Sequence, residues 1–587
     1  MQSNAEMELF DKPLKQEKFM TAKKSKVIQK KLSREAYNAL KNVVGENWIY
    51  EERSVIETYS KLSIEGGSFV KKHEKDPHVL PACVVLPAST NETQAIVKIC
   101  NRYHVPFIPF TNGQVFCNPT NKQPTLIIHF SRMNKIIRID TQNMCATLEP
   151  YVDYAQLQAE AMKRGLWNGG TPLATTLCKL SSQFAFAGLW QTDLKYGLFS
   201  RNITSVKMVL PDGEILTTGS RCMPKAGDFW EYGPGPDLMG LQRAGLGTNG
   251  IVTEITVKLH AWVGEESFPE IPAGRPSLAH VHDAKYDNPP APLKNHKLLW
   301  IEFKDLETQI KAMKEIAHSG IAIGLNATGV YSAFYCSQTQ EMTVNRCKEH
   351  FFPDWNCYVI LVNTTSDKQI DYEEGVLREI IAEVGGTFLS KTHKPEVLEA
   401  LKPWNYDCIR HSTGYRMNRK FYANAWLPVG PIEGAITTSR EWKKALDTFG
   451  ELDITDRGGA DDTPFIYALQ RGHFCLFETD NYPDPVLPDE IKKAQGFGIY
   501  GAAVVTKNNL GPQLMAFVNV EPFTTMFPEA GPNAHLFMRK IRKVFDPNSV
   551  AAPGRQVFTE EEWQQFPGEV KAVVNKMRQM NDMPEVK

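Results

Sequence analysis

Apolar positions along this chain follow two periods, and the changes between them mark its elements. Residues 34–43 and Asn91–His104 carry apolar side chains every three or four positions, with Ile96, Val97 and Cys100 on one face, which predicts two amphipathic helices. Elsewhere the period falls to two. Ser205–Leu210, the turn Pro211-Asp-Gly213 and Glu214–Thr218 predict a hairpin, and Ile251–Val257 alternates β-branched residues as a strand does. A proline-rich stretch from Pro269 to Pro292 reads as a linker. After it, strands alternate with helices: Leu298–Phe303 leads into Glu307–His318, and Cys357–Val362 into Tyr372–Val384. These breaks divide the chain into an N-terminal arm with helices (1–77), a domain at 78–263, a second at 264–495 and a C-terminal segment at 496–587.

The chain has 587 residues, enough for two or more domains, and an apolar content of 42% supports sizeable cores. Its 66 basic and 67 acidic residues leave a net charge of −1, which argues against a nucleic-acid partner. There is no apolar run of membrane-spanning length, and the charged N-terminus lacks the apolar core of a signal peptide. None of the 11 cysteines forms a C-x-x-C pair, which disfavours a zinc or iron–sulfur site, so no metal is expected. A cytoplasmic location is the expectation that follows.

Gly245-Leu-Gly-Thr-Asn-Gly250 satisfies G-x-G-x-x-G. A dinucleotide fingerprint needs a strand before its glycines and a helix after them. Here Asp237–Arg243, read as a short helix, comes first and the strand Ile251–Val257 follows. The nicotinamide reading therefore fails. A glycine loop opening a strand can still lay its backbone against a flat cofactor.

That order resembles the second signature of the vanillyl-alcohol oxidase/4-cresol dehydrogenase superfamily, whose members carry a PCMH-type FAD-binding domain. The resemblance continues along roughly residues 78–556 in the family's order. It includes Val105-Pro-Phe-Ile-Pro-Phe-Thr-Asn-Gly113 at the pyrophosphate loop, Leu126–Ile136 with its Ser-Arg-Met-Asn turn, Leu148-Glu-Pro150, Lys195-Tyr-Gly197, Val209–Ile215 and Phe545-Asp-Pro-Asn-Ser-Val-Ala-Ala-Pro-Gly-Arg555. It implies an α+β fold: a PCMH-type FAD-binding domain of two α+β subdomains, a mixed-sheet cap over the flavin, and a C-terminal segment that returns to the first domain. Backbone N–H groups in the first loop would cradle the pyrophosphate without cationic side chains.

The cofactor-binding residues so implied are Pro109, Phe110, Thr111, Asn112, Gly113 and Gln114 in that loop. Gly170, Thr171, Leu173, Ser181, Ser182, Ala187, Gly188 and Tyr196 form a second set, and Gly247, Gly250, Ile251 and Arg555 a third. The loop departs from the family at Phe116, Cys117 and Pro119, where glycines are usual. The histidine that links flavin covalently in the vanillyl-alcohol oxidase branch is replaced by Ala423, which implies non-covalent FAD; Tyr422 beside it is the alternative link.

The resemblance also implies removal of a hydride from an activated C–H, of an alcohol or an aromatic side chain, to flavin N5. Tyr500 falls on the branch's phenolate-binding tyrosine, and His473 lies in a segment like its His-Ile-Cys-Leu strand. Both are candidates to orient or deprotonate a small-molecule substrate. Gly501 stands where the branch has arginine and Ala185 where it has a carboxylate, which puts phenol activation in doubt. Two alternatives stay open. One is a 2-hydroxy-acid dehydrogenase of the glycolate/D-lactate type, with Arg410 or Arg416 on the substrate carboxylate but without that branch's metal segment. The other is a flavin-binding subunit serving electron transfer or scaffolding. An electron-accepting partner protein and a homo-oligomer are further expectations of the family.

Overall fold

The computed structural model describes residues 27–59, 78–111 and 123–170, then 178–266 except 187, 189–190, 224, 234 and 244. It continues with 294–449 except 330–331, 334–339, 367, 393–394, 408–423 and 427, and with 465–481. Beyond that it describes 500–501, 504–505, 507–508, 510, 532–553, 560–564, 568–580 and 583–585.

Helix α1 (Arg34–Val44) starts where the Ser33 hydroxyl accepts from the Ala36 N–H. Strand β1 (Ile49–Tyr50) follows and pairs antiparallel with β2 (Cys83–Val85). Ser89 caps α2 (Thr90–Tyr103) by accepting from Glu92 N–H, while the Glu92 carboxylate accepts from Ala88 N–H. Strands β3 (Phe107–Phe110) and β4 (Leu126–His129) complete a sheet of order β1-β2-β4-β3, parallel in its last three members. The predicted helix face, Ile96, Val97 and Cys100, packs with Leu40, Val85 and Phe107 in its core.

The next sheet is antiparallel throughout. It contains β5 (Ile136–Asp140), β6 (Cys145–Leu148), β7 (Ile203–Val209), β8 (Ile215–Thr217) and β9 (Ile251–Lys258) in the order β8-β7-β9-β6-β5. Helices α3 (Tyr154–Met162) and α4 (Leu180–Phe186) bury Leu157, Ala161 and Phe184 against its Val206 and Ile255. Fully burying one such aliphatic side chain contributes roughly 2 kcal/mol. The predicted hairpin is β7–β8. The short helix before the glycine loop is a single 3-10 turn, Leu238–Leu241, capped by the Asp237 carboxylate. A last short helix, α5 (Asp193–Tyr196), lies between α4 and β7.

The cap is one long sheet. Strand β10 (His296–Glu302) leads through α6 (Leu306–Ser319) to β11 (Gly324–Ala327), then β12 (Asn356–Val362), α7 (Lys368–Val384) and β13 (Thr387–Phe388). Strand β14 (Asn424–Trp426), α8 (Gly434–Phe449) and the hairpin β15 (Phe465–Leu469) and β16 (Phe474–Asn481) follow. The order is β13-β10-β12-β11-β15-β16-β14. Every pairing in it among the described residues is antiparallel, whereas the strand–helix alternation predicts a mixed sheet. The reason is that β10 and β11 run the same way across α6, but β12 inserts between them. Alternate residues separate the two faces. Cys357, Val359, Ile466 and Phe477 face the helix layer of α6 and α7. Trp300, Tyr358, Tyr467 and Leu476 face the first domain, where Trp167 and Trp262 meet them.

Helix α9 (Ala534–Phe545) precedes a segment that returns to the first sheet. Phe107 N–H donates to Val550 O at 2.8 Å, and Ala552 N–H to Phe107 O at 2.8 Å.

Candidate functional site

Three segments distant in sequence meet at the C-terminal end of β3. Thr111 Oγ1 and Ser182 Oγ are 2.6 Å apart. Leu246 N–H donates to Ala185 O at 3.1 Å. Gly247 lies so close to Pro109 that a Cβ on it would stand 2.5 Å from Pro109 Cγ. The junction thus joins Pro109–Thr111, α4 and the glycine loop. Asn112, Gly113, Gln114, Thr171, Leu173, Ala187 and Arg555 lie outside the described residues, as do Arg410, Arg416, Tyr422 and Ala423.

Phe110 closes one side. Its ring meets Tyr59 at 4.9 Å and His129 at 5.1 Å, edge on. Tyr59 Oη and His129 Nδ1 are 2.8 Å apart. Burial holds the imidazole down to about 4, so it is neutral near pH 7.

Several of the implied cofactor residues make close contacts within the protein. The Ser181 hydroxyl donates to Pro150 O at 2.6 Å. Ile251, 2% exposed, belongs to the core of the first sheet. A Cβ on Gly188 would stand 2.8 Å from Phe199 Cβ. The Tyr196 ring lies 4.0 Å from His260 and 6.1 Å from Trp167, and burial pushes its hydroxyl up to about 12. Gly250 has φ +140°, and a Cβ there would stand 2.9 Å from Val209 O. The requirement for glycine at 247 and 250 is therefore met inside the protein. A sequence motif cannot distinguish backbone that approaches a ligand from backbone that approaches a neighbouring loop.

Neither candidate catalytic residue reaches the junction. His473 is exposed in the tight turn between β15 and β16, beside Gly472, which packs on Ala317 at the end of α6. Tyr500 donates its hydroxyl to Glu441 Oε2 on α8 at 2.9 Å, in the helix layer on the far face of the cap sheet.

Sequence reasoning missed a polar cluster under the cap. Gln191, 1% exposed, accepts at Oε1 from the Tyr358 hydroxyl and, at 3.5 Å, from Asn326 Nδ2, which also donates to Gln191 O at 3.2 Å. Thr192 Oγ1 donates to Gly169 O at 2.5 Å, and Asn168 Nδ2 to Gly170 O at 2.7 Å. Gln191 Nε2, Asn168 Oδ1 and, beside Gly250, Gln242 Nε2 are buried without a hydrogen-bond partner. The available signal was a polar residue inside an apolar strand, as with Asn326 and Tyr358. Among the described residues no trio of His, Cys, Asp or Glu side chains is placed to hold a metal, and no helix is long and apolar enough to cross a membrane.

A two-subdomain α+β platform, with converging glycine loops beneath an antiparallel cap, defines a flavin-binding architecture. Residues 81–219 match the family described as FAD binding domain. Over 196 residues the chain is 30% identical to glycolate oxidase subunit GlcD of Bacillus subtilis, covering 33% of this chain and 40% of that protein. Over 205 residues it is 27% identical to mitochondrial D-lactate dehydrogenase (cytochrome) 1 of Saccharomyces cerevisiae, covering 34% and 33%. The chain thus spans less than half the length of these relatives. A solved structure of substrate-bound p-cresol methylhydroxylase superposes with a TM-score of 0.71 at 16% identity, covering 91% of this chain and 99% of that one. The chain carries an FAD-binding domain and has a PCMH-type fold, and FAD is its cofactor. The residues present suit FAD: the partnerless amide donors and acceptor border the same loops, and a flavin offers both kinds of complement.

Proposed function

We propose that this chain is an FAD-dependent oxidoreductase that removes a hydride from an activated C–H of an alcohol or an aromatic side chain. The observations that carry this are the three-segment junction at Thr111, Ser182 and Gly247 and the aromatic underside of the cap. Bound FAD supplies the two-electron acceptor. The chain's own part is to hold and enclose. Thr111 and Ser182 fix the loops, while Trp300, Tyr358 and Tyr467 offer an apolar, water-poor ceiling that suits a flat substrate. The alanine at 423 supports non-covalent attachment. Seven of the eight described free cysteines are buried, which suits a reducing, cytoplasmic setting.

A second reading, oxidation of a 2-hydroxy acid, is favoured by the named activities of the glycolate oxidase and D-lactate dehydrogenase relatives. One experiment separates the two. The purified protein is mixed anaerobically with neutral benzylic alcohols, 4-alkylphenols, glycolate and D-lactate, and bleaching of the flavin band is followed. Bleaching by the neutral alcohols ahead of the phenols is expected. Bleaching by the hydroxy acids alone establishes the second reading, and bleaching by none of them ends the first. Admitting air then tells oxygen from a partner protein as the electron acceptor.

A further inference from the structure

Leaving a buried amide N–H or carbonyl oxygen without a partner costs the full desolvation of that group. Gln191 and Asn168, each 1% exposed, bear that cost at Nε2 and Oδ1. Neither side chain is free to turn. Tyr358 and Asn326 both donate to Gln191 Oε1, which fixes the opposite end of the amide as a donor. The Asn168 amide is fixed by its bond to Gly170 O, which leaves Oδ1 as an acceptor. The two residues are neighbours, because Thr192 is bonded to Gly169. Both belong to the cofactor-binding domain and flank the turn that leads into residues 171–177. The cap supplies only the groups behind Gln191. A fixed donor and a fixed acceptor on adjoining segments suit a rigid ligand edge that carries an acceptor next to a donor.

We propose that Gln191 and Asn168 read the imide edge of the flavin ring, Gln191 Nε2 donating to a ring carbonyl and Asn168 Oδ1 accepting the ring N3–H. This rests on the FAD reading above. The Tyr358 hydroxyl polarises the Gln191 amide through Oε1 and so strengthens the donor at Nε2. Gln191 and Asn168 are positioning residues for the cofactor, and the Gln191 donor also draws electron density from the ring.

The test compares FAD with 3-methyl-FAD, which lacks the N3 proton, by titrating apoprotein and following flavin fluorescence. Wild type is expected to bind FAD about tenfold more tightly than the methyl analogue, the worth of one buried hydrogen bond. Asn168→Ala should bring that ratio close to one. Asn168→Asp keeps an acceptor and should keep the preference, which a purely structural role of Asn168 does not require. Gln191→Met should weaken FAD about tenfold and leave the ratio unchanged. A ratio near one in the wild type overturns the proposal whatever the variants do, and so does a ratio that survives in Asn168→Ala. Either result leaves the oxidoreductase reading standing. Apoprotein that binds neither flavin overturns both together.

Discussion

His260 stacks on Tyr196 at 4.0 Å and places its Nε2 3.3 Å from Asn202 Oδ1. Burial first, then the charges of Lys258 and Lys195, hold it down to about 4, and burial holds His129 there too. In the unfolded chain both titrate near 6.5. As pH falls from 6.5 towards 4 the unfolded state takes up protons that the folded state refuses. Stability from these two groups is therefore complete above 6.5 and lost as pH falls through 4. Thermal melts across that window should show a falling midpoint, and His260→Gln should flatten the fall. Tyr500→Phe removes the bond to Glu441, so it should cost about 1 kcal/mol in denaturant unfolding and leave the rate of flavin reduction unchanged. Slowed reduction would restore Tyr500 to the chemistry. At this scale the sequence was least legible. Tyr500 and His473 were candidates by position in a motif, but whether a side chain faces the helix layer, solvent or the platform depends on pairing register across strands. The buried amides of Gln191 and Asn168 carry no periodic signal at all.

Loops are tied to sheets by contacts that single substitutions can read. Gly247, at φ +79°, keeps the glycine loop in van der Waals contact with Pro109. Gly247→Ala should push the two apart and lower flavin occupancy, measured as the ratio of flavin to protein absorbance. At Gly250 the added atoms meet Val209 and Leu210 instead, so Gly250→Val should lower the melting point of apoprotein as much as that of holoprotein. A holoprotein-only effect would place flavin against Gly250. Asp228 anchors another loop by accepting from Arg138, Thr147 and Thr256. Removing it in Asp228→Ala should cost about 2–3 kcal/mol of stability. Elements were legible where periodicity was strong. The helix at 91–104 and the hairpin at 205–218 emerged within a residue or two, the helix because one of its faces is buried and the other is not, the hairpin because its strands flank the Pro211-Asp-Gly213 turn. The pairing of the cap strands was not legible, since insertion of β12 between β10 and β11 depends on long-range partners that local patterning does not record.

The cap meets the platform at close range. Lys195 N–H donates to Ile323 O at 3.2 Å, and a Cβ on Gly324 would stand 2.2 Å from Gln191 O. Gly324→Ala should therefore separate cap from platform and cost about 1–3 kcal/mol. Loss of flavin together with a lowered melting point would bear this out; an unchanged protein would mean that the interface can yield.

The pairing of Phe107 with Ala551 has a consequence for biosynthesis. The first sheet is begun early in translation and finished only when the ribosome has delivered the whole cap and the segment beyond it. At ordinary elongation rates that interval is on the order of a minute. Throughout it, β3 presents backbone groups whose eventual partners do not yet exist. Flavin capture must then be a late event, and a nascent chain stalled within the cap should be prone to aggregation and dependent on chaperones until residues 550–552 arrive.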